Sequence, residues 1–139
     1  MLKAAAAKVY QTGLALMLGA AFALTSPAAL AFKAPEAQLT VPGFEAIALD
    51  DLPRDGRTTY GRILKGGPFS SDKDGSVFGN RERILPRQSR GYYREYTVRT
   101  PVARNRGARR IVCGGREPQL PDACFYTGDH YNSFQQIVP

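Results

Sequence analysis

The sequence contains few residues that commonly bind metals. It has one histidine, His130, and two cysteines, Cys113 and Cys124. A structural zinc site takes four ligands, so two cysteines and one distant histidine are too few. We therefore expect no metal site and no cofactor, and any chemistry must come from the side chains themselves.

Long apolar runs are also missing. The apolar stretch from Gly13 to Leu24 has about a dozen residues, whereas a helix that spans a bilayer needs about 20. Lys3 and Lys8 precede this stretch and Ala29-Leu30-Ala31 follows it, which is the layout of a secretory signal peptide. We predict that residues 1–31 are a signal peptide. The mature chain would then be secreted or periplasmic, with no stable membrane association; the alternative is a retained membrane anchor.

Acidic residues are scarce in the middle of the chain. The segment from Arg81 to Arg110 contains ten arginines and two acids, Glu82 and Glu95. Arginine suits planar, bidentate recognition of phosphate better than lysine does. The net charge of +7 falls to +5 when Lys3 and Lys8 leave with the signal peptide. This charge fits nucleic acid, anionic lipid or acidic polysaccharide as a partner, and it also fits an ordinary solvated surface.

Cys113 and Cys124 follow the export signal, so they reach a compartment in which a disulfide persists. One bridge between them would close a loop of about 12 residues and contribute on the order of 3 kcal/mol in the chain-entropy model. It would also brace the strand that carries Arg110 against the strand that leads to His130.

The order of patterns along the chain predicts one α+β domain. We interpret residues 32–46 as an extended N-terminal arm and residues 47–139 as the domain. A short helix is expected to start with Asp51 as its cap, to carry an apolar stripe and to stop at Gly66. Asp72-Lys73-Asp74-Gly75 resembles the start of a calcium loop but lacks the later ligands, so we interpret it as a turn. The β-type runs that follow predict a mostly antiparallel sheet of about five strands: Val77-Phe78, Tyr92 to Val98, Arg109 to Cys113, Ala123 to Tyr126 and Phe134 to Val138.

Glu95 is the residue around which a chemical site can be assembled. It stands in an apolar strand pattern, where an unpaired carboxylate would be costly to bury, and Arg106 and Arg110 could pair with it. The single histidine, His130, falls in a polar turn where it can meet solvent. A base, an acid that titrates near neutrality and two cations are the parts needed for metal-free cleavage of a phosphodiester beside a 2′-hydroxyl. The plainer alternatives are a structural Glu–Arg pair and a surface histidine without a role.

The segment Phe78 to Glu82 predicts a recognition loop. Phe78 offers a stacking face, the Gly79-Asn80 turn exposes backbone N–H groups, and Glu82 could accept two hydrogen bonds from a base edge with adjacent donors, as in guanine. A turn followed by charged residues is also common in proteins that bind no base, which is the alternative interpretation of this segment.

Four motifs together carry a family resemblance. They are Asn80-Arg81-Glu82 with Leu85-Pro86, then GYYREYTV, then TPVARNRGARRI, and finally YTGDHYNSF. In this order and spacing they resemble the guanyl-specific microbial ribonucleases, both the barnase-like bacterial branch and its streptomycete relatives. The resemblance covers about Leu52 to Val138.

The resemblance implies roles for individual residues. Glu95 corresponds to the general base, His130 to the general acid, and Arg106 and Arg110 to the phosphate-binding arginines. Glu82 corresponds to the acid that reads guanine N1–H and N2–H. The resemblance further implies that the backbone at Asn80 and Arg81 meets guanine O6 and that Phe78 and Tyr131 flank the base.

The resemblance also implies a function and partners. It implies a monomeric endoribonuclease that cleaves single-stranded RNA 3′ of guanosine through a 2′,3′-cyclic phosphate, with a barstar-like protein inhibitor as a further partner. Two alternatives stay open: a secreted RNA- or anion-binding protein without catalysis, and the same ribonuclease used as a toxin against competing cells. Two features depart from the family pattern. Gly79 stands where relatives often have a larger polar residue, and Cys113 and Cys124 do not match the disulfide that joins the chain ends in streptomycete members.

Overall fold

The computed structural model describes residues 40–139. The predicted signal peptide, residues 1–31, and most of the predicted arm lie outside them. Between residues 40 and 139, no helix combines the length and the apolar character that crossing a bilayer requires.

The described part of the chain contains one α-helix and one six-stranded sheet. The elements are β1 (Glu45–Ala48), a 3-10 turn (Leu49–Asp51), α1 (Arg54–Lys65), β2 (Ser76–Val77), β3 (Tyr93–Thr97), β4 (Arg110–Gly114), β5 (Ala123–Thr127) and β6 (Gln135–Val138). The strand order is β1-β6-β5-β4-β3-β2, and every neighbouring pair is antiparallel except β1 and β6. This confirms the predicted α+β class with one helix on a mostly antiparallel sheet.

The predicted strand count of five was one too low, because β1 forms a sixth strand. It begins at Glu45, within the segment that we assigned to the arm, and pairs in parallel with β6 in the register Glu45↔Gln135. A four-residue edge strand is ordered by its partner, and here that partner comes from the other end of the chain. A local pattern does not contain that information.

The start of α1 also corrects a prediction. Pro53, not Asp51, is the N-cap residue, and no side chain caps the helix there; Asp51 belongs to the preceding 3-10 turn. The fixed φ of proline already suits the entry to a helix. The end is as predicted: Gly66 has φ +79°, the left-handed conformation in which its N–H reaches the carbonyls of Arg62 and Ile63.

The sheet buries both of its faces. Because side chains alternate along a strand, Tyr96 in β3 and Ile111 in β4 face α1 and pack with Leu52 and Ile63. On the other face, a second buried cluster covers the sheet beneath the loops: Leu85, Tyr93, Val112, Phe125 and Phe134. Glu95 lies between Tyr93 and Thr97 in β3, so it belongs to this second face, opposite the helix.

The two cysteines form a disulfide on the helix side of the sheet. Cys113 in β4 and Cys124 in β5 are directly opposite in the antiparallel register, with Cα atoms 4.1 Å apart. Both side chains are buried in the cluster beneath α1. The predicted pairing is therefore confirmed, and the bond ties β4 to β5.

Removing this bond should lower the melting temperature. A closed loop of about 12 residues is worth about 3 kcal/mol, and each kcal/mol moves the melting temperature of a domain of this size by roughly 4–8 °C. Reduced protein and the double variant Cys113→Ala/Cys124→Ala should both melt roughly 12–24 °C lower than the oxidised protein by circular dichroism. Reductant should not affect the double variant. Two alkylatable thiols in non-reduced protein from the exported fraction would contradict the assignment.

Candidate active site

An open groove with a volume of about 1110 Å³ lies on the face of the sheet opposite α1. The structure brings seven of the site residues predicted from the sequence into its lining: Phe78, Asn80, Arg81, Glu82, Glu95, His130 and Tyr131. The other two are not in the lining: Arg106 bonds to Glu95 from the loop before β4, and Arg110, at the start of β4, is buried and bonds to a carbonyl of that loop. The nine residues come from four separate segments of the chain.

Glu95 has a partner on each carboxylate oxygen. Its Oε1 accepts a hydrogen bond from Nη1 of Arg106 at 3.0 Å, and its Oε2 accepts one from the Tyr131 hydroxyl at 2.6 Å. The side chain is 16 % exposed, so the carboxylate is partly desolvated and these partners offset the cost. Each carboxylate oxygen has a second lone pair, which remains available to take a proton from a bound molecule.

Tyr131 contributes more than the flanking ring expected of it. Burial raises the pKa of Tyr131 to about 12, and the hydrogen bond to Glu95 and the charge of Glu95 act in the same direction. The phenol therefore stays protonated at neutral pH and keeps donating to the carboxylate. Its ring also lies 5.0 Å from that of Phe78, centroid to centroid. The sequence indicated an aromatic beside the base and missed this hydrogen bond.

A buried carboxylate that the sequence analysis missed orients Arg106. The side chain of Asp74 is 1 % exposed, and its Oδ1 accepts hydrogen bonds from the Thr97 hydroxyl at 2.6 Å and the Thr97 N–H at 2.7 Å. The same Thr97 oxygen accepts from Nε of Arg106 at 2.7 Å, and Nη2 of Arg106 lies 3.5 Å from Asp74 Oδ1. Asp74 and Thr97 thus hold the guanidinium plane against Glu95. The turn prediction for residues 72–75 is consistent with the structure, but it did not indicate that one carboxylate points inward.

Arg110 holds together the loop that carries Arg106. It is 3 % exposed, and its Nη1 donates to the carbonyl oxygens of Gly107 at 2.9 Å and Arg109 at 2.7 Å. The positive charge of Arg110 lowers the pKa of Tyr131, although burial and Glu95 raise it by more. Arg110 is therefore close enough to Tyr131 to act at the same site. Within residues 40–139, Nε of Arg110 and Nη2 of Arg106 are buried without a hydrogen-bond partner. Because Nη2 of Arg106 still faces Asp74 at 3.5 Å, Nε of Arg110 is the one of these two donors that has neither a hydrogen bond nor an ion pair.

His130 is presented by a tightly bonded turn after β5. Asp129 accepts hydrogen bonds from the Ser133 hydroxyl at 2.6 Å and the Ser133 N–H at 2.9 Å, and these bonds lower the pKa of Asp129. His130 and Tyr131 both have a left-handed backbone, with φ +57° and +71°. The His130 N–H donates to the Ala108 carbonyl at 3.2 Å, which ties this turn to the arginine loop. The imidazole itself is exposed to solvent at the groove.

The segment 78–85 forms a fixed loop that lines the groove. Asn80 has φ +46°, and its side-chain amide donates to the Leu85 carbonyl at 2.8 Å and accepts from the Leu85 N–H at 3.1 Å. Residues held in left-handed conformations cost free energy and persist where their surroundings fix them, often at functional sites. The Asn80 side chain therefore sets the loop, which leaves the backbone of residues 79–82 and the exposed Glu82 facing the groove.

The arrangement defines a chemical class. A paired carboxylate and an exposed imidazole line one groove close to two guanidiniums, which suits acid–base chemistry on a phosphodiester. Among residues 40–139, no group of three or more His, Cys, Asp or Glu side chains is placed to hold a metal ion.

Comparison with known proteins gives the family. Residues 35–138 match the ribonuclease family, and the chain belongs to it. The chain is 53 % identical over 97 residues to guanyl-specific ribonuclease St of Saccharopolyspora erythraea, which covers 69 % of this chain and 90 % of that protein. It is 48 % identical over 91 residues to guanyl-specific ribonuclease Sa of Kitasatospora aureofaciens, covering 66 % and 91 %. A crystal structure of ribonuclease Sa2 with guanosine-2′-cyclophosphate is similar, with a TM-score of 0.62, 40 % identity and coverage of 69 % and 97 %.

Replacing Asp74 should impair RNA cleavage through Arg106. In Asp74→Asn the charge that faces Nη2 of Arg106 is lost, and the two hydrogen bonds from Thr97 no longer end on a charged oxygen; a hydrogen bond to a charged group is worth about 1.5–3 kcal/mol. We expect the melting temperature to fall and, well below the new melting temperature, kcat to fall about tenfold with a smaller change in KM. Asp72→Asn removes an exposed carboxylate of the same turn and is the matched control. Equal kcat values in the two folded variants would show that Asp74 acts on stability alone.

Proposed function

We propose that the protein is a guanyl-specific endoribonuclease. It cleaves single-stranded RNA on the 3′ side of guanosine by transesterification to a 2′,3′-cyclic phosphate, which is then hydrolysed. One observation carries the proposal: the Glu95 carboxylate and the His130 imidazole line the same groove, with the Arg106 guanidinium 3.0 Å from the carboxylate. The guanyl specificity of the relatives and the guanosine cyclophosphate bound by ribonuclease Sa2 support it.

In the first step, Glu95 removes the proton of the ribose 2′-hydroxyl. The 2′-oxygen attacks the adjacent phosphorus, the bond from phosphorus to the 5′-oxygen of the next nucleotide breaks, and His130 protonates that oxygen as it leaves. In the second step, His130 takes a proton from water, the hydroxide opens the cyclic phosphate, and protonated Glu95 returns its proton to the 2′-oxygen. DNA lacks the 2′-hydroxyl and cannot react in this way.

Arg106 and Arg110 stabilise the charge that develops on the phosphoryl oxygens. The Arg106 guanidinium contacts Glu95 through Nη1, and among residues 40–139 Nε of Arg110 is buried without a hydrogen-bond partner. Preorganised donors in a partly desolvated site stabilise a transition state without reorganising during the reaction. Asp74, Thr97 and the loop carbonyls supply that preorganisation.

Guanine selection is the task of the loop that contains residues 78–82 and lines the groove. Glu82 accepts hydrogen bonds from guanine N1–H and N2–H, the backbone of Asn80 and Arg81 donates to O6, and the base lies between Phe78 and Tyr131. The support is that all five residues line the groove and that the Asn80–Leu85 bonds fix the loop. The ring centroids of Phe78 and Tyr131 are 5.0 Å apart, so one of the two rings has to shift before a base can be stacked between them.

We further propose that the protein is exported and works as a monomer outside the cytoplasm. The disulfide between Cys113 and Cys124 supports an oxidising compartment. We also propose that a barstar-like protein inhibits the enzyme. An acidic inhibitor of this type would cover the arginine-rich groove. The non-catalytic alternative has less support, because the base and the acid both face the groove. No feature of residues 40–139 favours the toxin alternative.

The catalytic pair is tested by two variants. Loss of a positioned acid or base typically costs about 10²- to 10⁴-fold in rate, so Glu95→Gln and His130→Ala should each lose about that much activity on a GpA dinucleotide while staying folded. Glu45→Gln changes an exposed glutamate in β1 and should keep the wild-type rate. Activity of the wild type should follow a bell-shaped pH profile, because the reaction needs an ionised carboxylate and a protonated imidazole together. A wild-type rate in either folded variant would overturn its assignment.

Base selection is tested by the ratio of the cleavage rates of two dinucleotides, GpA and ApA. A site built to pair with two donors rejects a base without them, because its own carboxylate is then left unpaired. Glu82→Ala should therefore reduce the preference for GpA over ApA at least tenfold, in proportion to about 1.5 kcal/mol or more for a charged hydrogen bond. Glu117→Ala removes another exposed glutamate, away from the groove, and should leave the ratio unchanged. An unchanged ratio in Glu82→Ala would mean that guanine is read elsewhere.

A further inference from the structure

A further pocket lies on the helix side of the sheet, on the face opposite the groove. Its volume is about 390 Å³, near the lower end of the roughly 300–1,000 Å³ that is typical of small-molecule pockets. The end of α1, the segment between α1 and β2, the strand β3 and the loop between β4 and β5 form its wall. All of the residues in this lining differ from those that line the groove.

The inner wall of this pocket is apolar and aromatic. Ile63 and Tyr96 are 1 % and 2 % exposed, and both belong to the buried cluster beneath α1. The partly buried ring of Phe69 lies 5.2 Å from that of Tyr96, centroid to centroid. Pro118 adds a further apolar surface from the loop between β4 and β5. A ligand with an apolar body would therefore lose apolar surface to this wall, which favours binding.

Arg94 places a positive charge in the same lining. It precedes Glu95 in β3, so its side chain is on the helix side of the sheet. Its Nη1 donates to the Gly75 carbonyl at 2.7 Å, and Gly75 is itself part of the wall. Between residues 40 and 139 the Arg94 guanidinium makes no other hydrogen bond and no ion pair. A guanidinium has five N–H donors, so it can also bind the carboxylate of a ligand.

Glu117 places a negative charge in this lining. It lies in the loop between β4 and β5 and is exposed. In the part of the chain that the structure describes, its carboxylate is not paired with Arg94 or with any other cation. A simple anion would be attracted by Arg94 and repelled by Glu117, and a simple cation would experience the reverse. A molecule that carries both charges is complementary to both side chains.

We propose that this pocket binds a small zwitterion with an apolar body, the class to which free amino acids with aromatic side chains belong. The carboxylate of the ligand binds Arg94, its ammonium group binds Glu117, and its apolar body packs against Phe69 and Tyr96. Glu117 is exposed, so its contribution is small and screened by salt. This site is separate from the groove and does not depend on the proposed ribonuclease function.

The test compares phenylalanine with two analogues that each lack one charge, phenethylamine and phenylpropanoate. Binding to the mature protein is followed by NMR through the amide signals of Gly66 and Gly75, which line the pocket. We expect phenylalanine to shift these signals to saturation. Phenethylamine should bind about tenfold more weakly, because it lacks the group that receives a charged hydrogen bond. Phenylpropanoate should bind roughly two- to fivefold more weakly, the effect of one exposed ion pair.

Variants of the two charged residues assign each effect to its side chain. Arg94→Gln should weaken phenylalanine binding about tenfold without weakening phenethylamine, and Arg94→Lys should restore part of the loss. Glu117→Gln should weaken phenylalanine roughly two- to fivefold without weakening phenylpropanoate. Arg116→Gln removes an exposed arginine of the same loop, outside the lining, and should bind phenylalanine as the wild type does. Melting temperatures measured by circular dichroism identify the variants that are folded.

Four results would overturn the proposal. Without saturable shifts from phenylalanine at Gly66 and Gly75, the pocket does not bind this class of ligand. If phenylpropanoate binds as tightly as phenylalanine, the site recognises an anion and Glu117 has no part in it. Equal losses in Arg94→Gln and Arg116→Gln would indicate diffuse charge in place of a site, and shifts confined to Tyr131 would indicate binding in the groove. Cleavage of GpA is measured on the same preparation, so failure of the ribonuclease function is detected separately from failure of this pocket.

Discussion

The carboxylate of Glu95 is held between a guanidinium and a phenol, and the geometry of the groove depends on that arrangement. A partly buried glutamate in the middle of a strand is costly unless its carboxylate has polar partners. Arg106 and Tyr131 each donate a hydrogen bond to a different oxygen of this carboxylate. Arg106 can do so because Asp74 and Thr97 fix its plane from behind. These contacts connect three segments at the Arg106 guanidinium: the acidic turn before β2, the strand β3 and the loop before β4.

The loops around this point are fixed by hydrogen bonds within and between them. Asn80 bonds to Leu85, Asp129 bonds to Ser133, and Arg110 bonds to the carbonyls of the arginine loop. The left-handed residues Asn80, His130 and Tyr131 lie in the first two of these loops. Their strain is offset by the sheet beneath, which the disulfide and α1 support from the opposite face. The packing and the disulfide on the helix side of the sheet thus support the loops that hold the site residues on the opposite side.

The sequence predicted the helix, its end at Gly66 and the five strands from β2 to β6, because alternation, β-branched residues and glycine are local signals. It also predicted the seven groove residues, although their convergence was implied by motifs in a known order. It missed β1 as a full strand and the role of Asp74. Both depend on contacts between distant segments: β1 with β6, and Asp74 with Thr97, 23 residues further along the chain. A turn pattern does not distinguish an aspartate that faces water from one that is 1 % exposed.

The catalytic roles of Glu95 and His130 are tested most directly by identifying the product that forms in the absence of metal ions. The mature protein, incubated with chelator on GpA and ApA, should convert GpA to guanosine 2′,3′-cyclic phosphate and adenosine before any 3′-phosphate accumulates, and should act far more slowly on ApA. The cyclic product is expected because Glu95 activates the 2′-hydroxyl and His130 protonates the leaving oxygen. Direct formation of a linear phosphate, or loss of activity on chelation, would contradict it.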